Sequence, residues 1–235
     1  MLSIVVPCYN EAGNIPHLFA RVITLFKEEV ELEVILVNNG STDNSSAFFK
    51  EQLAQYSRLN IKVVEVPKNQ GYGHGILFGL AHATGDYLGW THADLQTDIA
   101  DCFRAYQKLI TGATDLILVK GFRRKRNIMD KFFSFGMSVF AYPVLGMWLS
   151  EINAQPKIFK RELYQKIKEK APFDFSLDLY WLIKAKEIGQ IASIPVYFTQ
   201  RLYGEAKGGG GSLKLKYKLM KRTTSYILQT RSTLR

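Results

Sequence analysis

The sequence predicts an α/β fold: a mostly parallel sheet flanked by helices, built from the first half of the chain and completed by the second. Three observations predict it. Short Val/Ile/Leu-rich runs alternate with amphipathic stretches through residues 1–119. Those runs are apolar on both faces, as buried parallel strands are. The polar clusters all follow the runs, which is where ligands bind in sheets of this kind.

Taken in order, the strand-like runs are 2–6, 33–37, 61–66, 87–90 and 116–119. Helical periodicity covers 15–27, 45–56, 75–83 and 100–111 between them. Later come helices over 161–168 and 176–188 and a last strand, "IASIPVYF". The uncharged stretch 132–149 is long enough to span a bilayer, but Pro143 and two glycines interrupt it, so it reads as a core or interfacial helix. "GGGG" at 208–211 reads as a flexible joint, and 212–235 as a basic C-terminal helix that either packs on the domain or lies on a membrane. The expected organisation is one domain over 1–207 and an appendage over 208–235.

Composition bounds the partners. With 31 Lys and Arg against 21 Asp and Glu, the formal charge of +10 calls for an anionic partner. No aromatic–basic interleaving of a nucleic-acid module is present, so nucleic acid is not expected. The two cysteines, Cys8 and Cys102, give neither a disulfide framework nor a CxxC metal pair. "LSIVVP" already reads as a strand and lacks a basic leader, so reduced thiols and a cytoplasmic location are expected.

Five strand-end loops carry the chemistry: "CYNE", "NNGSTDNS", "KNQGYGHG", "HADLQTD" and "KGFRRKR". In the second, Gly40 permits a tight turn, and Asp43 or Ser45 can cap a helix. In the third, Gly71, Gly73 and Gly75 match neither the P-loop nor the dinucleotide fingerprint, and read as positions where backbone approaches a ligand. His74 reads as an exposed loop histidine. Arg123, Arg201 and Lys207 lie in two strand-end loops and could clamp phosphates.

"IVVPCYNEAGNI", "ILVNNGSTDNS", "NQGYGHGILFGLAHATGDY", "ADLQ" and "RLYGEAK", in that order, resemble the inverting family 2 glycosyltransferases of GT-A fold. Within them the chain looks most like the dolichyl- or polyprenyl-phosphate mannosyltransferase group, over about residues 1–210. The resemblance implies that Pro7, Tyr9, Glu11, Val37 and Asn39 contact the nucleoside. It implies that His92, Ala93, Asp94 and Gln96 form the metal and diphosphate segment, with Asp94 and Gln96 holding Mg²⁺ or Mn²⁺. Arg123, Arg201 and Lys207 would neutralise the diphosphate, and Arg123, Lys131 and Ser134 the acceptor phosphate. Asp178 falls where many members place a catalytic base, needed only if the acceptor is a hydroxyl. The implied activity is hexose transfer from a GDP- or UDP-sugar to a polyprenyl phosphate, on the cytoplasmic face of a membrane. Transfer to a sugar hydroxyl in glycan assembly and a non-catalytic nucleotide-sugar-binding protein are the alternatives.

The sequence departs from the family pattern in places. The pattern Asp-Ala-Asp-Leu-Gln begins here with His92, and the usual Asp-Asp pair is Asn38-Asn39. "INAQPKIF" replaces a Ser-Asp-Pro-Gln-Ser-Gly-like segment, with Asn153 for the aspartate and Gln155 kept. A carboxamide at 39 offers one acceptor and one donor, which suits a uracil edge better than guanine.

Overall fold

The computed structural model describes residues 1–28, 30–124, 142–143, 146–199, 201, 224 and 226. Seven strands form one sheet: β1 (Leu2–Cys8), β2 (Leu32–Asn39), β3 (Ile61–Val66), β4 (Tyr87–Trp90), β5 (Leu116–Arg124), β6 (Lys157–Lys160) and β7 (Gln190–Tyr197). Their order is β3-β2-β1-β4-β6-β5-β7. All neighbouring pairs are parallel except those of β6, which runs antiparallel to both β4 and β5. The five runs read from the first half are all strands. The sixth strand was not read from the sequence and lies in the middle of the sheet.

Helices α1 (Ile15–Leu25), α2 (Ser45–Gln55), α3 (Tyr72–His82), α4 (Asp101–Ile110), α5 (Arg161–Ile167) and α6 (Leu177–Ile188) cover both faces. The period-2 alternation of a strand sorts the core. Ile4, Val6, Val34 and Leu36 pack with Leu18, Phe19 and Val22 of α1 and Cys102 and Phe103 of α4. Val5, Ile35 and Val37 face the other way, with Ile76 and Leu80 of α3 and Trp181 and Leu182 of α6. Trp90, Phe159 and Trp181 meet edge-on or tilted, with ring centroids 5.2–5.5 Å apart, and anchor α6 to the sheet centre.

This arrangement brings the ends of β1, β2, β4, β5 and β7 to one edge. Helix α3 begins at Tyr72, three residues before the stretch predicted from periodicity, and so takes the glycine loop into its first turn. Among the described residues no helix is long and apolar enough to cross a membrane. Most of 132–149 and of the appendage lies outside the described residues; Thr224 and Tyr226 are helical, and Tyr226 packs against the core.

Candidate functional site

The loops after β1 and β2 are tied to each other. Asn10 adopts φ 53°, a conformation asparagine tolerates. Its Nδ2 donates to Thr42 Oγ1 (3.2 Å), and Thr42 N–H donates to Asn10 Oδ1 (2.8 Å). Asn10 N–H donates to Ser41 Oγ (3.0 Å) and Glu11 N–H to Ser45 Oγ (3.2 Å). Burial works against the Asp43 charge. Hydrogen bonds from Ser45 and from Ala12 N–H nevertheless hold its carboxyl below the usual range. Pro7, Tyr9 and Glu11 are half-buried at this edge, and Val37 and Asn39 are buried beside them.

The two asparagines ending β2 do different work. Asn38 Nδ2 donates to Ser46 Oγ (2.7 Å) and Glu65 Oε1 (3.3 Å), and Asn38 Oδ1 accepts from Ser41 N–H (3.4 Å). Asn38 is thus a structural bracket. Asn39 Nδ2 donates to Gly71 O (3.1 Å), while its Oδ1 is buried with no partner among the described residues.

The loop after β4 presents Asp94. Asp94 Oδ1 accepts the Gln96 N–H (3.1 Å), and Leu95 between them adopts φ 58°. Gln96 Nε2 donates to Thr199 O (3.2 Å), and Thr199 N–H donates to Gln96 O (2.8 Å), so the chain leaving β7 is pinned to this loop. Two residues later, Arg201 Nη2 donates to Glu11 Oε1 at 2.5 Å, and Nη1 lies 3.7 Å from Asp94 Oδ2. One guanidinium therefore joins the ends of β1, β4 and β7. Glu11, Arg201 and Asp94 side chains are only 10, 12 and 17% exposed. Ala93 is buried, and His92 is half-buried with its ring 6.0 Å from that of Tyr72.

Below this loop lies a buried charged cluster. Lys157 of β6 is opposite Trp90 on one side and Lys120 on the other, so the three side chains share a face. Lys157 Nζ donates to Asp178 Oδ1 and to Ala154 O (3.1 Å), and lies 5.7 Å from the Trp90 ring centroid. Gln155 Nε2 donates to Asp178 Oδ1 (3.0 Å) and to Tyr72 Oη (3.2 Å). Burial and the neighbouring Asp178 push the Tyr72 phenol well up, with Asp94 adding to it. Burial lowers the Lys157 ammonium against the opposing pull of Asp178. Burial and then the Lys157 charge bring Lys120 down to about 7. The carboxylate expected as a possible base is thus buried and ion-paired. Lys157 and Tyr72 were not singled out from the sequence, and Gln155 was named only as the residue kept in the "INAQPKIF" segment. A lysine in an otherwise apolar run was the one local signal for Lys157.

Two sequence expectations are corrected. Gly71 and Gly73 do not face a ligand: a Cβ on either would come within 2.4 Å of the carbonyl oxygens of Phe173 and Pro172, respectively. A Cβ on Gly75 would meet the Asn39 side chain at 2.7 Å. The glycines admit the chain's own 172–174 loop and Asn39. His74 is half-buried rather than exposed, with its ring edge-on to Phe173 at 5.1 Å and its N–H donating to Phe173 O (2.9 Å).

Arg123 Nε donates to Glu151 Oε2 (2.6 Å), and its guanidinium lies 5.9 Å from the Phe198 ring centroid. Lys131, Ser134 and Lys207 lie outside the described residues. Cys8 and Cys102 are buried free thiols, and burial pushes both well above the ordinary range.

Among the described residues no group of three or more His, Cys, Asp and Glu is placed to hold a metal ion. Mg²⁺ and Mn²⁺ in phosphate-transfer sites need less, because substrate phosphates and water complete the shell around one or two carboxylates. Asp94, a half-buried hard oxygen donor already facing a cation, fits that role, with Gln96 adjoining.

The family model described as Glycosyl transferase family 2 matches residues 3–176. Dolichyl-phosphate beta-glucosyltransferase of Saccharomyces cerevisiae is 30% identical over 127 residues, 51% of this chain and 38% of that protein. The chain thus aligns with less than half the length of this relative. Glucosyl-3-phosphoglycerate synthase of Mycobacterium tuberculosis, solved with Mn²⁺, UDP and glucosyl-3-phosphoglycerate, superposes with TM-score 0.74 at 20% identity. That match covers 98% of this chain and 79% of the synthase. The same enzyme with Mg²⁺ and UDP gives TM-score 0.75 at 19% identity, over 98% and 79% of the two chains. The fold is that of the GT-A glycosyltransferases.

Proposed function

The chain belongs to glycosyl transferase family 2, and on that premise we propose that it transfers a hexose from a GDP- or UDP-sugar to a polyprenyl phosphate, with inversion. The observation that carries this reading is Arg201. A guanidinium from the end of β7 is held between Glu11 and Asp94, at the edge where the five strand ends converge. When the sugar leaves a nucleoside diphosphate, negative charge grows on the leaving phosphate. A cation within reach of that edge would stabilise that charge. Lys207 would add to it.

Asp94, with Gln96, would hold Mg²⁺ or Mn²⁺, which when bound supplies Lewis-acid stabilisation of the same charge. The donor would lie along Pro7, Tyr9, Glu11, Val37 and Asn39, with His92 and Ala93 beside the diphosphate. Asn39 Oδ1, buried without a partner among the described residues, is an acceptor suited to the imide N–H of a base such as uracil. The structural relatives hold UDP.

An acceptor phosphate is already anionic at neutral pH, so it needs alignment and neutralisation rather than a base. The pairing of Asp178 with Lys157 supports an acceptor of that kind over a hydroxyl. So does the dolichyl-phosphate substrate in the name of the yeast relative. Arg123, Lys131 and Ser134 would meet the acceptor phosphate. The basic run 123–126 and the uncharged stretch 132–149 would lie at the cytoplasmic face of a membrane.

Incubation with radiolabelled UDP-glucose or GDP-mannose, Mn²⁺ and polyprenyl phosphate tests the reading. Label is expected in the organic phase and should return to water on mild acid treatment. Label transferred only to a water-soluble oligosaccharide would refute it in favour of a hydroxyl acceptor.

A further inference from the structure

We propose that Asp178 and Lys157 form a positioning pair which, through Gln155 and Tyr72, holds the His92 imidazole on the metal–diphosphate loop. The proposal rests on the transferase reading above and gives Asp178 a task other than that of a base.

The chain of contacts is continuous. Asp178 and Lys157 are 2 and 0% exposed, and their ion pair sits on the inner face of β6. Gln155, 1% exposed, gives one amide nitrogen to both Asp178 and the Tyr72 phenol oxygen. The Tyr72 ring is thereby fixed at its far end. On one side it stacks on Phe175, with centroids 4.7 Å apart and planes 8° apart. On the other it tilts against His92 at 6.0 Å, within the range of favourable aromatic contact. His92 is two residues from Asp94. The neighbouring loop residues are held otherwise: Asp94 by the Gln96 N–H and Arg201, and Gln96 by Thr199.

The pair also explains a cost. A lysine with no exposure is tolerated only when its charge is met. Packing alone would be served about as well by replacing both members of the pair with apolar groups, so a buried pair at this place fits a cluster that aims a ring. An imidazole at position 92 donates a hydrogen bond to a phosphate or sugar oxygen only if its ring is held edge-on to the ligand.

Tyr72→Phe keeps the ring and removes its anchor. A loss of kcat of about tenfold is expected, with the KM for the nucleotide sugar nearly unchanged. The decisive measurement is the cycle with His92→Ala. If Tyr72 acts through His92, the double variant turns over no more slowly than His92→Ala alone. Multiplying losses would overturn the proposal. The paired variant Lys157→Met/Asp178→Asn, which leaves no buried charge unmet, should lose about the same tenfold and keep the shape of the pH–rate profile. A loss above roughly a thousandfold with the acidic limb abolished would make Asp178 the base and overturn it. Imidazole proton shifts at fixed pH, assigned with His92→Ala, give a readout independent of activity. A moved His92 signal in Tyr72→Phe supports positioning even where the parent transfers nothing, which would count against the transferase reading alone. An unmoved signal overturns it.

Discussion

Lys157→Met is expected to cost a large share of the stability. Methionine keeps the stem that lies beside Trp90 and removes the ammonium. Asp178, 2% exposed, then keeps the neutral partners Gln155 and Tyr72 but no cation in contact among the described residues. Removing one member of a buried pair costs about 3–5 kcal/mol, because the other charge is left desolvated. Relief of the repulsion between Lys157 and Lys120 offsets part of this, since Lys157 is the charge that most lowers Lys120 after burial. A net loss of about 3 kcal/mol is a large share of a total near 5–15 kcal/mol. With a urea m-value of about 2–3 kcal/mol/M, the unfolding midpoint should fall by roughly 1–1.5 M. Lys157→Met/Asp178→Asn should recover to within about 1 kcal/mol of the parent. Urea titration followed by tryptophan fluorescence measures both, because Trp90 and Trp181 flank the pair. A midpoint shift under about 0.3 M for the single variant, or no recovery in the double, would refute the reasoning.

Lys120 predicts a pH dependence. Its folded value of about 7 lies below the usual lysine range, so between pH 7 and 10 the unfolded chain binds the extra proton. Stability from this group therefore rises with pH across that window, by up to about 1.4 kcal/mol per unit; Lys120→Met should flatten the slope in urea titrations at stepped pH. Arg201→Met should lower kcat by about 10²–10³ while the fold survives, and a loss under fivefold would remove Arg201 from the diphosphate. Gly71 adopts φ +123° with no room for a Cβ against Phe173 O, so Gly71→Ala should cost about 2 kcal/mol and lower Tm by roughly 4–8 °C in calorimetry. Thermal shifts with Mn²⁺ should be larger for UDP than for GDP, and the reverse would reject the role given to Asn39.

How much was legible follows from the range of each interaction. Strands β1, β2 and β4 and the first half of β5 are largely buried on both faces, so each shows as an apolar run whatever its neighbours are, and the edge strand β3 still shows through Ile61, Val63, Val64 and Val66 although Lys62 and Glu65 are exposed. Strand β6 hid because it has only four residues, Lys157–Lys160, and begins and ends in lysine. The acid that meets Lys157 is 21 residues away, on a helix whose first turn looked free to act as a base. The glycines show the same limit. Sequence says that backbone comes close at 71, 73 and 75, but whether a ligand or the 172–174 loop approaches is decided only by tertiary contact. Arg201 and Glu11 are 190 residues apart; each could be picked out at its own strand end, but no local pattern pairs them.

The departures at 39 and 92 are connected in space. Asn39 donates to Gly71 O, immediately before the helix that starts with Tyr72. A carboxylate at 39 has no hydrogen to give that carbonyl and would repel it. The amide thus helps seat the first turn of α3, and that turn carries Tyr72 to the ring of His92. A site that had lost carboxylates by decay would leave their neighbours unmatched. Here Asn38 is bonded on both sides of its amide, Asn39 ties down α3, and His92 packs on the residue α3 presents. With fewer acids at the edge, Glu11 and Asp94 are left to hold Arg201, and the guanidinium faces two carboxylates before any diphosphate arrives. On the proposed reading, donor binding would draw Arg201 away from at least one of them. The diphosphate would bring two or more negative charges to a cation already within reach, which would favour the exchange without a third carboxylate at position 92.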